Sequence, residues 1–324
     1  MRGYRRSWRL PVIPYCSLVR YGLMLDTSGS IDTVTANLRS MADAGFSSAW
    51  VAQVFGYDAL TLLAVVGHEV PDIELATGVV PTYPRHPMML AGQALTTQAA
   101  CGGRLVLGIG LSHQIVIEGM LGYSYDRPAR HMREYLSVLL PLLRGEQVSF
   151  EGETLKTVTM APLDVKGVAP PPVLLAALAP TMLKLAGSLT DGTVTWMTGP
   201  ATVADHIVPA ITKAAETAGR GRPRVAVGLP VCITNAPDEA RERASQTFVV
   251  YGHLPSYRAM LDREGAAGPQ DVAIVGDEAE VVAQIGRIAD GGATDFMGAV
   301  FGTPEERDRT SGVLASLSRA ETQA

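Results

Sequence analysis

The fold is decided by one stretch of sequence, Gly102-Gly103-Arg104-Leu105-Val106-Leu107-Gly108-Ile109-Gly110-Leu111-Ser112-His113. Its apolar centre predicts a buried strand, and Ser112 and His113 follow at the carboxyl end of that strand. In a parallel α/β barrel the chemistry is found at the carboxyl ends of the strands. Gly108 and Gly110 would let a flat ligand or a phosphate approach the backbone closely. The segment is also compatible with a core strand that ends in an ordinary turn.

Strand-like and helix-like runs alternate on both sides of this stretch, which is the pattern of a parallel sheet with crossover helices. The other predicted strands cover residues 21–25, 49–53, 73–80, 173–177, 192–196, 225–232 and 296–300, and Pro81 is expected to stop the third strand. Helices are predicted over 30–44, 58–66, 87–100, 128–144, from about 180, over 202–218 and 278–289, and at the end of the chain. Residues 145–170, with a small hairpin at 148–155, and the mostly helical residues 235–270 break the rhythm. The sequence therefore predicts a single-domain (β/α)8 TIM barrel over residues 20–324, with insertions at these two places.

Composition excludes several classes of protein. The chain has 324 residues, of which 47% are hydrophobic and 18% charged, and this suits one barrel of roughly 250 residues plus insertions. The net charge is −5, and no basic block occurs beyond the N-terminus, which argues against nucleic acid as a partner. No apolar run reaches the roughly 18 residues of a membrane span. Cys16, Cys101 and Cys232 lack metal-ligand spacing and suit a reducing cytoplasm.

Residues 1–19 are expected to form a disordered N-terminal extension. The pair Arg5-Arg6 invites a twin-arginine export interpretation. Pro11 and Pro14 interrupt the apolar stretch that follows, and no small-residue cleavage site is evident. A disordered extension of a cytoplasmic protein is therefore the interpretation adopted.

Four predicted strands end in chemically useful residues. These residues are Thr82, Tyr83, Arg85 and His86 after the third strand, Ser112 and His113 after the fourth, Leu178 to Met182 after the fifth, and Trp196 to Gly199 after the sixth. The start of the helix after the fifth strand can bind an anion such as a phosphate, because its free amides and its dipole favour negative charge. A standard turn with Pro180 at the first helical position explains the same sequence.

Among these residues His113 is the best candidate for proton transfer, since an imidazole titrates near neutral pH. The alternative is a structural histidine bonded to loop carbonyls. Trp196 and Met197 could form an apolar wall for an aromatic ring, although core packing explains them too.

The remaining polar residues are expected to have structural roles. His68, His131, His206 and His253 fall inside predicted helices and are expected at the surface or in packing, while His86 could start a helix. A solvated, ion-paired helix face is expected from Asp126, Arg127, Arg130, Arg133 and Glu134. Alternatively, Arg127 and Arg130 contact an anionic part of a ligand. The sequence contains no dinucleotide fingerprint, phosphate-binding lysine loop, nucleophile elbow or metal-ligand cluster.

Nearly the whole chain beyond about residue 20 resembles the bacterial luciferase-like family of flavin and deazaflavin oxidoreductases. The resemblance rests on Ala42-Asp43-Ala44-Gly45-Phe46, Thr77-Gly78-Val79, Arg85-His86-Pro87, Gly103 to Gly110, His131-Met132-Arg133-Glu134-Tyr135-Leu136 and Leu185-Ala186-Gly187. It is closest to the branch that uses coenzyme F420, a 5-deazaflavin hydride carrier. It implies a (β/α)8 barrel with the cofactor across its carboxyl face, and it makes a homodimer possible.

The resemblance also implies a cofactor site. A non-prolyl cis peptide at Gly78–Val79 would back the deazaflavin ring, and the phosphate contacts fall on Leu111, Ser112, Leu178, Ala179, Thr181 and Met182. His113 falls where some relatives carry a proton donor. The chain departs from its relatives in two places: Gln53-Val54 replaces an Asp-His pair, and Gly199 replaces a lysine that binds a substrate phosphate.

The hypothesis is an enzyme that transfers a hydride between coenzyme F420 and a small organic substrate, with His113 handling the proton. Thr82 and Trp196 complete the candidate cofactor site, and no metal is expected. The alternatives are a monooxygenase that uses reduced FMN and oxygen, and a barrel that binds the cofactor without turnover or serves as an assembly subunit. The substrate pocket is expected from the loop with Phe55 and Tyr57, the loop after the fourth strand and the second insertion.

Overall fold

The computed structural model describes residues 19–322. Apart from Val19, the N-terminal extension predicted at residues 1–19 lies outside the described residues. The prediction for the arginine pair Arg5-Arg6 and that for Cys16 lie outside them as well.

Eight parallel strands close into a barrel. They are among the twelve strands of the described residues, which are, in chain order, β1 (Arg20–Met24), β2 (Ser48–Val51), β3 (Glu74–Thr77), β4 (Val80–Pro81), β5 (Leu105–Gly110), β6 (Ser149–Glu151), β7 (Lys156–Val158), β8 (Val173–Ala176), β9 (Gly192–Trp196), β10 (Arg224–Ile233), β11 (Ile274–Gly276) and β12 (Asp295–Val300). The barrel order is β1-β2-β3-β5-β8-β9-β10-β12, and β12 pairs again with β1. The predicted (β/α)8 barrel is confirmed.

Helices connect the strands and cover the barrel. They are α1 (Ile31–Asp43), α2 (Ala59–Glu69), α3 (Pro87–Ala100), α4 (Gln114–Gly119), α5 (Pro128–Leu143), α6 (Pro180–Leu189), α7 (Pro200–Thr202), α8 (Val208–Thr217), α9 (Pro237–Thr247), α10 (Val249–His253), α11 (Pro255–Glu264), α12 (Pro269–Val272), α13 (Glu278–Asp290) and α14 (Pro304–Thr322). A π-helical turn, Val203–Ile207, joins α7 to α8, so the helix expected over 202–218 starts earlier and is wound unevenly. Within the described part of the chain, no helix has the length and apolar content to cross a bilayer.

Local sequence explains where the first helices begin. The Ser30 hydroxyl accepts a hydrogen bond from the Thr33 amide at 3.2 Å and caps α1. His86 caps α3, because its Nδ1 accepts from the Met88 amide at 3.2 Å. The prediction that His86 starts a helix is confirmed.

The third predicted strand is interrupted. The sequence predicts one unbroken strand over 73–80 that stops at Pro81, but Gly78 and Val79 separate β3 from β4, and the peptide bond between them is cis. Leu75 pairs with Leu105, whereas Val80 pairs with Ile109. The register along β5 therefore shifts by one residue across the break, and Pro81 still pairs with Gly110.

The glycines of β5 serve this close strand packing. A Cβ atom on Gly108 would lie 1.9 Å from the Thr77 carbonyl oxygen, and one on Gly110 would lie 2.7 Å from the Val79 side chain. The prediction that Gly108 and Gly110 make room for a ligand is therefore wrong. The space beside them is filled by the neighbouring strand.

The barrel interior is filled by apolar side chains. The buried members of this inner cluster are Trp50, Ala76, Val106, Leu174, Val194, Ala226 and Met297. Below them, at the amino end of the barrel, Asp295 binds Arg20 and Arg224, and both arginines also pair with Glu74. The barrel is thus closed at its amino end by an ion-paired cluster, which we call the amino-end ion cluster.

Residues 145–170 contain the antiparallel hairpin β6–β7, which packs beside α5. The Glu134 carboxylate is buried and accepts hydrogen bonds from the Glu153 amide at 3.0 Å and the Thr154 amide at 2.8 Å. The sequence predicts that Glu134 lies on a solvated helix face. This is wrong, because the hairpin covers the side chain. Arg127 and Arg130 both form ion pairs with Glu153, in agreement with the ion-paired interpretation.

Residues 235–270 contain the helices α9 to α11 and the start of α12. The sequence does not predict two short elements, one after β5 and one after this insertion. They are α4 and β11, and β11 pairs with the end of β10 outside the closed ring. With six and three residues, respectively, neither is long enough to produce a periodic pattern.

Candidate active site

The predicted site residues come from neighbouring strands of the barrel. Gly78 and Val79 lie between β3 and β4, and Thr82 follows β4. Leu111, Ser112 and His113 follow β5, the segment Leu178 to Met182 follows β8, and Trp196 ends β9. Because β3, β5, β8 and β9 are consecutive in the barrel order, these residues share one arc of its carboxyl end.

The floor of this arc is apolar and only partly covered. Met24, Val79, Ala176 and Trp196 pack on the inner cluster and remain half-buried. Gly78 is also half-buried, whereas its neighbours Thr77 and Val80 are fully buried. The Gly78–Val79 segment and Trp196 thus offer an accessible surface on which a flat ring can lie.

The start of α6 offers hydrogen-bond donors to an anion. Ala179 is the N-cap residue, no side chain caps the helix, and Pro180 and Thr181 are exposed. The first amides of the helix therefore keep free N–H groups at the positive end of its dipole. The Met182 side chain is buried in the core, so this residue offers its amide alone. Leu178 is half-buried, and its carbonyl oxygen accepts from His206 Nε2 at 2.8 Å.

His113 lies at the start of α4 and is half-buried. Its ring contacts the Tyr257 ring at a centroid distance of 5.4 Å, and no described residue forms a hydrogen bond with the imidazole. The alternative of a histidine bonded to loop carbonyls is therefore not what the structure shows. Burial lowers the pKa of His113 below its usual 6.5, so the imidazole is neutral at pH 7.

The turn that carries His113 is strained. Ser112 has a φ of +61°, a conformation that side chains other than glycine adopt rarely, and its carbonyl oxygen accepts from the Tyr125 hydroxyl at 3.3 Å. Met197, directly after β9, also has a positive φ of 54°. Strained backbone is concentrated at functional sites, and here it falls at the carboxyl ends of two barrel strands.

Aromatic rings line one side of the site. Trp196 contacts Tyr251 at 5.7 Å, Tyr251 contacts Tyr257 at 5.3 Å, and Tyr257 contacts His113. We call Trp196, Tyr251, Tyr257 and His113 the aromatic wall. Met197 is fully buried, so of the two roles that the sequence allows it, a wall or core packing, the structure shows core packing.

Sequence reasoning missed a second group of rings next to Thr82. The Thr82 side chain is buried, and its Oγ1 lies 3.1 Å from His131 Nε2. The His131 ring stacks on Tyr83 at 4.0 Å, and burial lowers the pKa of His131 to about 4. The Tyr83 hydroxyl is buried without a hydrogen-bond partner among the described residues. The one available signal was the four-residue spacing that places His131 on the same buried helix face as Tyr135.

Both departures from the family pattern have structural roles. The Gln53 side chain accepts a hydrogen bond at 2.7 Å from the Ala59 amide, the first amide of α2, whose N-cap is Asp58. A Cβ atom on Gly199 would lie 2.3 Å from the Glu264 carboxyl carbon. The Glu264 carboxylate accepts from the amides of Ala201 at 3.1 Å and Thr202 at 2.7 Å, and it occupies the helix start after β9.

Other predicted residues lie at the edge of the site. Phe55 is exposed, and the Tyr57 hydroxyl donates to the Gly29 carbonyl at 2.9 Å. Arg85 forms an ion pair with Asp58. Within residues 19–322, no three His, Cys, Asp or Glu side chains are grouped as metal ligands.

Comparison with known proteins identifies a family and a named relative. The profile of the luciferase-like monooxygenase family matches residues 13–295. A 5,10-methylenetetrahydromethanopterin reductase of Methanolobus tindarius is 28% identical over 269 residues, which are 81% of this chain and 80% of that protein.

Solved structures share the fold. The coenzyme F420-dependent tetrahydromethanopterin reductase of Methanopyrus kandleri superposes with a TM-score of 0.76 at 23% identity, covering 92% of this chain and 97% of the other. The oxygenating component of 3,6-diketocamphane monooxygenase from Pseudomonas putida, in complex with FMN, superposes with a TM-score of 0.72 at 16% identity, covering 94% and 98%.

Proposed function

Since this chain belongs to the luciferase-like monooxygenase family, we propose that it is an oxidoreductase that transfers a hydride between coenzyme F420 and a small organic substrate. The observation that carries the proposal is the pairing of two features at one end of the barrel. An accessible apolar bed, with Gly78, Val79 and Trp196, lies on the same arc as the uncapped start of α6. The relatives with reductase names are consistent with it.

The residues present fit a deazaflavin nucleotide. The bed is formed by residues beside β3, β4 and β9. Its side chains are apolar, which suits a flat aromatic ring. Thr181 and Met182 would donate their amides to the phosphate, with Leu178 and Ala179 forming the turn before them. Leu111 and Ser112 follow β5 between these two features. When bound, the deazaflavin supplies a two-electron hydride carrier.

His113 is proposed to move the proton that accompanies the hydride. Its free, neutral imidazole can accept the proton of a substrate hydroxyl, as oxidation of an alcohol requires. In the opposite direction the protonated ring would return that proton to a carbonyl oxygen. Tyr257 packs against the ring and limits its orientations.

A flavin monooxygenase is the alternative function. It is favoured by the description of the matching family and by the fold shared with the FMN-bound monooxygenase component. The same bed and the same helix start would accept FMN, because both cofactors combine a flat tricyclic ring with a phosphate.

Anaerobic titration of the full chain with F420 and with FMN tests the proposal. We expect F420 to bind more tightly, and its absorbance and fluorescence to change on addition of an oxidisable substrate, without oxygen uptake. Tighter binding of FMN together with oxygen consumption would assign the protein to the monooxygenases. Binding of F420 without turnover of any alcohol or carbonyl compound would favour a non-enzymatic role.

Residues 20–324 are proposed to fold as a single domain, and the enzyme is proposed to act in the cytoplasm, where the free thiols of Cys101 and Cys232 would stay reduced. A homodimer is proposed from the family resemblance, and light scattering of the purified chain tests it.

A further inference from the structure

The carboxyl end of the barrel carries most of the exposed apolar side chains that the structure describes. Fourteen large hydrophobic residues are exposed, and all except Val65, Val158 and Met160 belong to loops or helix starts at this end. These eleven residues, which we call the apolar rim, are Ile31, Val54, Phe55, Tyr57, Met89, Ile115, Met120, Leu121, Tyr123, Val249 and Val250. Exposed apolar side chains that are grouped in this way mark a binding surface.

Part of this apolar rim adjoins the aromatic wall. α10 places Tyr251 against Trp196 and Tyr257, so its exposed pair Val249 and Val250 adjoins the wall. On the other side of His113, α4 is anchored by the buried Ile117 and exposes Ile115. The apolar surface therefore lies on both sides of the proposed proton-transfer residue.

Outside the second insertion, the described loops after the barrel strands lack a free cation for an anionic substrate. Outside the second insertion, the loops after the barrel strands contain no lysine and two arginines, Arg85 and Arg127. Arg85 pairs with Asp58 and Arg127 pairs with Glu153. An anion at the helix start after β9 would meet the Glu264 carboxylate, which already accepts from those amides. A substrate phosphate or carboxylate would thus meet a carboxylate at this helix start and no unpaired cation in the described loops outside the second insertion.

From these observations we propose that the substrate is an uncharged, predominantly apolar molecule. Its reacting carbon lies beside His113, and its apolar body extends along the aromatic wall towards Phe55, α4 and α10. This inference rests on the proposed function and names the substrate class of the same site.

Binding of a homologous series tests the inference without requiring turnover. The neutral methyl ketones from 2-butanone to 2-dodecanone, and keto acids of matched length, compete with Nile red for the full chain in the presence and absence of F420. Each methylene that is buried on binding tightens the complex about fourfold. We therefore expect the dissociation constant to fall steadily along the ketone series, and each keto acid to bind at least tenfold more weakly than its ketone.

Exposed substitutions locate the effect, since they leave the core intact. Val250→Ser and Phe55→Ser, at side chains that are 53% and 79% exposed, are expected to reduce the gain per methylene. Val65→Ser and Met160→Ser, at side chains that are 41% and 97% exposed and outside the apolar rim, are the matched controls and should leave the series unchanged. Equal effects of both pairs would contradict the assignment.

The outcomes separate this inference from the proposed function. Suppose that F420 binds normally. A ketone affinity that does not change with chain length, or tighter binding of the keto acids, would then overturn the substrate class alone. If ketone affinity increases along the series on a chain that binds no F420, the proposed function is overturned. A flat series together with sedimentation on phosphatidylcholine vesicles, abolished by Phe55→Ser, would assign the apolar rim to a membrane surface and overturn the inference.

Discussion

His113 combines partial burial with an imidazole that no described residue hydrogen-bonds. A surface histidine would titrate near pH 6.5, and a structural histidine would have its nitrogens engaged. Burial disfavours the charged ring, so the neutral form persists to lower pH. A base of this kind loses its function only on acidification, which gives the first prediction its sign.

Replacing His113 by Ala is expected to lower kcat by about 100-fold or more, since positioned proton transfer contributes at least that factor. The dissociation constant for F420 should not change, and added imidazole should restore part of the rate. For the wild type, the rate of alcohol oxidation should fall only below pH 6.5. His68→Ala, at an exposed histidine on α2, is the control. Unchanged turnover of His113→Ala would remove the residue from the mechanism.

Substitution of Gly108 tests whether this glycine is needed for strand packing or for ligand binding. The Cβ of a Gly108→Ala variant would lie 1.9 Å from the Thr77 carbonyl oxygen, and backbone cannot move aside easily. We expect the cofactor-free variant to lose about 3 kcal/mol of stability in urea unfolding, the upper end of overpacking costs.

Gly92→Ala is the matched control for Gly108→Ala. A Cβ on Gly92 meets no atom within 4 Å, and the residue lies inside α3, where Ala is favoured over Gly by up to about 1 kcal/mol. It should be as stable as the wild type or more stable. Normal stability of Gly108→Ala combined with weaker cofactor binding would restore the ligand interpretation.

The start of α6 separates helix stability from cofactor affinity. Ala179→Asp would place a carboxylate where it caps the free amides and interacts favourably with the helix dipole. The melting temperature should therefore be kept or raised. Affinity for F420 should fall more than tenfold, because the carboxylate competes with the phosphate for those amides and repels it.

Ala236→Asp repeats this change at α9, another helix of the chain without a side-chain cap. It should affect neither F420 affinity nor, to a large extent, stability. Titration of both variants with F420, followed by fluorescence, gives the comparison. Equal affinities for the two variants would show that the phosphate is bound elsewhere.

Long elements followed from the sequence because their patterns repeat. The alternation of apolar strands and amphipathic helices predicted the barrel, and Pro87 and Pro128 marked the starts of α3 and α5. The break between β3 and β4 did not follow, because a one-residue shift in register leaves the apolar pattern intact. The burial of Glu134 depends on a hairpin that its own helix cannot reveal.

The candidate site was predictable in position but not in its partners. Strand ends placed His113 and the start of α6 correctly at the carboxyl end of the barrel. The stacking of Tyr83 on His131 joins residues far apart in sequence, and so does the contact of His113 with Tyr257. Contacts of this kind depend on loop geometry, for which periodicity gives no signal.

The two ends of the barrel are chemically opposite. The carboxyl end is open and apolar, while the amino end is closed by the ion cluster around Asp295, which is 1% exposed. Burial would raise the pKa of Asp295, but the hydrogen bonds and positive charges of Arg224 and Arg20 outweigh it and lower the pKa. The amino-end ion cluster holds β1, β10 and β12 together at the end of the barrel opposite the proposed cofactor site.

Asp295→Asn is expected to lower stability by about 3 kcal/mol at pH 7, because Arg20 and Arg224 would then share Glu74 alone, which leaves one positive charge of the cluster uncompensated. In the wild type, a lowered carboxyl pKa contributes stability that is present above the unfolded value of 3.8 and lost as the pH falls through the folded pKa. The urea midpoint of the wild type should therefore decline more steeply below pH 4 than that of the variant. Glu151→Gln, which breaks the exposed pair with Lys156, is the control and should change stability by less than about 1 kcal/mol. Coinciding midpoints of Asp295→Asn and wild type at pH 7 would show that the amino-end ion cluster does not stabilise the barrel.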